Sequence, residues 1–242
     1  MIKIYFSPSN QSNNVYAIGN TTEKAQMEIV ALKARAILDA EYVCETVLAT
    51  LSKGIGYNER PLEAKQKGCH VYLAIHSNAG SALASGAMAF YHPSQPVGKA
   101  LAQGLVAELG AVCPIASNRS ANVINGMTAF RGAGYGEIRS PAQYGLIAVL
   151  VEVDFHDNPK TAQWIINSHD IIARAIANAL AAAFHLAKKS SAPPVTPPVT
   201  VPDSTLNRVQ IGAFSVKANA DAMLQKAKDA GFESAFIKQD NG

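Results

Sequence analysis

Along the first 187 residues, short apolar runs alternate with longer stretches whose apolar positions recur at three- and four-residue intervals. Residues 2–6 read as a strand. Residues 23–40 follow as a helix, with Met27, Val30, Ala31, Ala34 and Leu38 on one face and Thr21 or Thr22 placed to cap it. Residues 71–75 (VYLAI) form an unbroken apolar strand, and residues 87–91 form another. Residues 99–109 have a helical pattern that stops at Gly110. LIAVLVEV, residues 146–153, is the most apolar strand, and residues 161–186 supply one or two closing helices. Strands apolar on both faces belong in the buried centre of a sheet. The pattern therefore predicts an α/β fold: a mostly parallel twisted sheet with helices on both faces.

The pattern breaks at residues 188–205, where five prolines stand among Ser, Thr and Val. Such a stretch favours an extended spacer, up to roughly 50 Å long at about 3.1 Å per residue. Beyond it, residues 206–242 predict a small βαβ segment: a strand over 209–214, a helix over 218–230 and a strand over 235–238. Val209, Ile211 and Phe214 are its candidate apolar contacts.

Composition narrows the class. Apolar residues make up 48% and charged residues 16%, which excludes a disordered chain. A net charge of +3 leaves no concentrated basic footprint, so nucleic acid is not an expected partner. Three cysteines at wide spacing suggest free buried thiols rather than a disulfide framework. No apolar run reaches the roughly 18 residues of a membrane span, so no membrane insertion is expected. The N-terminus lacks a signal-peptide pattern. Action outside the cell would then need a route other than an ordinary signal peptide.

Reactive groups in open α/β sheets collect at the carboxyl ends of strands. Asn10 and Gln11 follow the first strand, His76 and Asn78 follow VYLAI, and Glu152 lies within the last apolar strand, with Asp154, His156 and Asp157 just after it. Glu23 opens the first helix. One His and two Glu at an open edge suit a metal-dependent hydrolase. The bland alternatives are a structural histidine and a glutamate favouring a helix dipole. Glu152 resists such a reading, because a carboxylate inside LIAVLVEV is costly to bury unless it is paired or meets a cation.

These residues resemble a family. AIHSNAG, around His76, is similar to the SIHANA signature of the zinc-dependent N-acetylmuramoyl-L-alanine amidases of the amidase 3 type. In order along the chain, the helix from Glu23, the Arg60 and Ala64 pair, SGAMAFYH, VLVEVDFHDNP and IARAIANALAAAF resemble further elements of that family. The resemblance implies Zn2+ held by Glu23 and His76, with Glu152 as general base, and peptidoglycan as the substrate, cut between N-acetylmuramic acid and L-alanine. It also implies a catalytic domain over residues 1–187. One departure stands out: where the family writes DPGHGG, this chain has SPSNQ, with Asn10 at the place of a zinc-binding His. Asn10 or His156 is then the candidate third ligand or substrate contact. The alternative is a non-catalytic peptidoglycan-binding protein with a degenerate metal site. The tail, residues 206–242, resembles part of a SPOR repeat, a peptidoglycan-binding module. The segment 111–144 reads as a long loop, with Arg119, Arg131, Tyr135 and Arg139 available for muropeptide carboxylates. No protein partner is expected. A wall substrate without a signal peptide implies a protein held in the cytoplasm until lysis, as an endolysin is, or exported by a non-classical route.

Overall fold

The computed structural model describes residues 1–50, 58–189, 214–229, 231–232 and 235–238. The chain divides into two compact units, Met1–Ser191 and Ala192–Gly242.

The first unit is built on a six-stranded sheet in the order β2-β1-β3-β6-β4-β5. Its strands are β1 (Lys3–Pro8), β2 (Glu45–Leu48), β3 (Val71–Asn78), β4 (Met88–Tyr91), β5 (Val123–Asn125) and β6 (Ile147–Phe155). Strands β2, β1, β3 and β6 run parallel, while β4 meets β6 antiparallel and carries β5 parallel to itself. The expected mostly parallel sheet is therefore present.

Alternation along the strands splits the core in two. One face of the sheet offers Ile4, Phe6, Leu73, Ile75, Val149 and Val151 to α1 (Glu23–Glu41), α3 (Pro96–Val112) and α6 (His169–Ala183), with α5 (Pro159–Asn167) at its end. The other face offers Tyr5, Tyr72, Ala74, Ala148 and Leu150 to the shorter α2 (Glu59–Gln66) and α4 (Gly136–Gln143). The α1 helix starts where expected: Thr22 accepts a hydrogen bond from Ala25 N at its N-cap.

Sequence periodicity did not reveal β2, α2, β5 or α4. The stretch 111–144, expected as a loop, holds β5, two 3-10 turns and α4. Its apolar residues are few and scattered, but Ile138 is fully buried against the second face and fixes α4 there. At the C-terminal edge of this unit, Lys189 N donates to Glu41 O at 2.7 Å, so its order continues past residue 187.

In the second unit, α7 (Lys217–Asp229) matches the expected helix. Residues 209–213, which include Val209 and Ile211, lie outside the described residues. Among the described residues, 235–238 pair with no strand; the partner expected for them lies outside those residues. Phe214, Phe232 and Phe236 are exposed. No helix among the described residues is long and apolar enough to cross a membrane.

Candidate active site

Three parallel strands deliver the site. In the β3–β6 register, His76 stands opposite Glu152. Both fall on the even-numbered face shared with Tyr72, Ala74, Ala148 and Leu150. The carboxyl end of β1 lies alongside, with Ser9 N donating to Ile75 O at 2.9 Å. The first turn of α1 brings in Glu23.

Glu23 and His76 are in direct contact, with Glu23 Oε1 at 2.8 Å from His76 Nδ1. Glu23 is almost wholly buried. Asn14 Nδ2 donates to its Oε2 at 2.6 Å, and Ser77 N donates to its Oε1 at 3.3 Å. Burial opposes the charge of Glu23, but the hydrogen bonds with His76, Asn14 and Ser9 win and hold its carboxyl below the usual value. Burial likewise opposes a charged His76. The Glu23 hydrogen bond and the charges of Glu152, Glu23 and Glu137 outweigh it and lift the imidazole to about 9.

Glu152 is the opposite case. Burial dominates, and the His76 charge only partly compensates, so its carboxyl is pushed up to about 7. Its Oε2 is buried with no hydrogen-bond partner among the described residues. A buried carboxylate oxygen left without a donor is costly and marks a position awaiting one.

A second network lies beneath this cluster. The buried guanidinium of Arg60 donates to Ser7 Oγ at 3.1 Å and to Pro8 O. Ser7 Oγ lies 2.9 Å from Tyr72 Oη, and Tyr72 in turn donates to Glu137 Oε2 at 2.7 Å. Arg60 is thus a fixture of the β1 end, and the network ties it to the carboxylate at the start of α4.

Among the expected site residues, the structure brings Glu23, His76 and Glu152 together. It places His156 elsewhere. The His156 ring stacks on Tyr16 at 5.1 Å between centroids, and its Nδ1 lies 2.8 Å from the Ser77 carbonyl and 3.0 Å from the Ser77 hydroxyl. Ser77 follows His76 along β3 and so points to the opposite face, where Tyr16 donates to its hydroxyl at 2.8 Å and the His156 ring is held. Asn10 sits in the turn after β1, where its carbonyl accepts from Ser12 N at 3.1 Å. The Asn78 side chain accepts from Ala79 N and reaches Met88 Sδ. Asp154 is fully buried and accepts from Gly86 N and Phe155 N, so it clasps the turn before β4. Asp157 accepts from Gly80 N. Of the loop residues, Arg119 covers the Phe155 ring at 5.0 Å, Arg139 donates to Ala133 O, and Tyr135 packs on Phe90.

Sequence placed Gln11 at the end of the first strand without giving it a role; the structure brings its side-chain amide to 3.3 Å from His76 Nδ1. Sequence reasoning missed Glu137, which adds negative charge from α4 and carried no signal without that helix.

The cluster suits a cation. An imidazole and a carboxylate meet at hydrogen-bond distance, further carboxylates surround them, and one buried oxygen lacks a donor. No three His, Cys, Asp or Glu side chains among the described residues form a group able to hold a metal ion, so two strong donors are present rather than three.

Residues 173–239 match the family model of the SPOR domain; the first part of that match lies on α6, within the first unit. A sporulation-specific N-acetylmuramoyl-L-alanine amidase of Bacillus subtilis (strain 168) is 30% identical, over 99% of this chain and 86% of its own length. In fold, an N-acetylmuramoyl-L-alanine amidase of Clostridium difficile 630 superposes with a TM-score of 0.65 at 20% identity, covering 76% of this chain and 97% of that one. The catalytic domain of CwlV, from Bacillus (Paenibacillus) polymyxa var. colistinus, gives a TM-score of 0.63 at 20% identity, covering 77% of this chain and all of that one. The family model of N-acetylmuramoyl-L-alanine amidase matches residues 9–182, and with well over half its length so matched the chain belongs to that family.

Proposed function

We propose that this amidase cuts the amide between N-acetylmuramic acid and L-alanine of peptidoglycan with Glu152 as its general base and zinc held by Glu23 and His76. The observation that carries the reading is Glu152: a buried carboxylate with one oxygen lacking a donor, set beside the Glu23–His76 pair on one sheet face. A wall-binding domain without catalysis gains nothing from that costly group.

Zinc, when bound, supplies Lewis acidity, polarising the amide carbonyl and acidifying water. The protein's own groups do the rest. Asn14 and Ser77 N fix the Glu23 carboxylate, and Glu23 fixes the plane of His76. Glu152 accepts a proton from the attacking water as its oxygen adds to the carbonyl carbon. It then delivers that proton to the departing nitrogen as the C–N bond breaks, leaving a muramoyl carboxylate and the free amine of L-alanine. The SPOR segment is the wall-binding partner of this chemistry, keeping the catalytic unit near a polymeric substrate.

Digestion of purified peptidoglycan, scored by newly freed L-alanine amines, tests the reading. Zinc is expected to support release, a chelator to stop it, and E152Q to lower kcat by about 10²- to 10⁴-fold. Release that is indifferent to chelation, or an E152Q variant as fast as the parent, overturns it.

A further inference from the structure

The departure from the family pattern at SPSNQ leaves the metal site one strong donor short, and the geometry around His76 points to what replaces it. Three polar groups from three separate segments converge on one ring nitrogen. Glu23 from α1 lies 2.8 Å from His76 Nδ1, and the Gln11 amide from the turn after β1 lies 3.3 Å from the same atom. Asn14 then joins the two, donating to Gln11 Oε1 at 3.0 Å and to Glu23 Oε2 at 2.6 Å. His156, the other histidine near these strand ends, is turned to the opposite face by Ser77 and Tyr16. We propose that the side-chain amide of Gln11, one residue on from the position aligned with the family histidine, is the third protein donor to the cation held by Glu23 and His76.

This rests on the zinc reading above and extends it to a donor of different chemistry. Gln11 offers an amide nitrogen towards His76 and its oxygen towards Asn14. Rotation about the terminal side-chain bond exchanges the two atoms at almost no steric cost, which turns the oxygen to the His76 side. Asn14 keeps its bond to Glu23 when that happens. Gln11 is exposed, so nothing packed on it resists the turn. An uncharged amide oxygen binds Zn2+ less strongly than an imidazole. The chain therefore has a weaker site than a two-histidine centre, offset in part by the field of Glu137 and Glu152.

The test is zinc affinity of the full chain, measured by competition with a chromogenic chelator. Zinc-edge absorption spectroscopy alongside it counts imidazole ligands. Q11A is expected to bind zinc at least about tenfold more weakly, in the range typical of lost metal-site support. Q11H is expected to bind at least about tenfold more tightly and to show two imidazoles where the parent shows one. N10A and N10H should leave both readings near the parent. Urea denaturation confirms that each variant is folded. If Q11A and Q11H bind as the parent does while Asn10 variants change affinity or imidazole count, the Gln11 assignment is overturned and the zinc reading survives. If the parent itself binds no zinc, the zinc reading fails and this assignment fails with it.

Discussion

Glu152→Gln should stabilise the protein, and by an amount that depends on pH. The native Glu152 carboxyl titrates near 7, against 4.5 for an unburied one, and burial is the main cause. A native pKa raised above the unfolded value means that the folded chain holds a proton the unfolded chain has already released. Stability therefore falls as pH rises from about 4.5 to about 7, and the full deficit persists above that. At 1.36 kcal/mol per unit, the deficit approaches about 3 kcal/mol at pH 8 and is under about 1 kcal/mol at pH 5. Glutamine fills the same space without a charge to desolvate, so the advantage of E152Q should grow by about 2.5 kcal/mol between those two conditions. Urea denaturation of parent and variant at pH 5 and pH 8 measures it, with a chelator present because a bound cation would itself stabilise the carboxylate. An advantage of equal size at both pH values, or a variant less stable at pH 8, would refute the argument that burial raises this group. The same substitution is expected to lose activity, so the site would be working against the fold that holds it.

Two further predictions concern the scaffold. Glu63 accepts from Tyr5 Oη, from the Thr50 hydroxyl at 2.6 Å and from Lys67 at 2.7 Å. Burial opposes its charge, but these bonds hold its pKa down to about 2, so its contribution is full above pH 4.5 and drains as pH falls. The parent should lose about 1 kcal/mol more than E63Q between pH 7 and pH 3.5, and parallel urea curves for the two would count against it. Gly86 has φ +114, and a Cβ built there meets Ser117 Oγ at 2.0 Å and Ser117 Cα at 3.0 Å. G86A is expected to cost about 2–4 kcal/mol by thermal or urea denaturation, and a loss below 1 kcal/mol would mean that this turn yields easily.

The layered fold was legible because its central elements are long and strongly patterned. LIAVLVEV and VYLAI declare buried strands, and the Met27–Leu38 stripe declares α1. The short elements were not legible. β2 and β5 are strands by virtue of their neighbours, and α4 is amphipathic over only eight residues, with Pro141 inside it. The same division runs through the site. His76 and Glu152 were readable because a polar residue inside an apolar strand stands out. Gln11, Asn14 and Glu137 sit in turns or short helices where polar residues are ordinary, and only tertiary contact gives them meaning. His156 also takes its place from tertiary contact: nearness in sequence to Glu152 suggested a shared edge, and Ser77 and Tyr16 hold its ring beyond the irregular register between His76 and Asn78.

The pairing of His76 with Glu152 across β3 and β6 has a consequence for how the enzyme fails. These two strands have neighbours on both sides and helices over both faces, so their amides are the last to exchange with water and open only with the whole unit. Gln11 and Asn14 lie in the exposed turn after β1, which can open in small, frequent fluctuations. The centre is therefore half anvil and half latch. Mild heating or denaturant should open the turn, and with it the Gln11 and Asn14 contacts, long before it separates His76 from Glu152. An enzyme disarmed in this way is still folded, and it regains its site when the turn closes again, without having to refold.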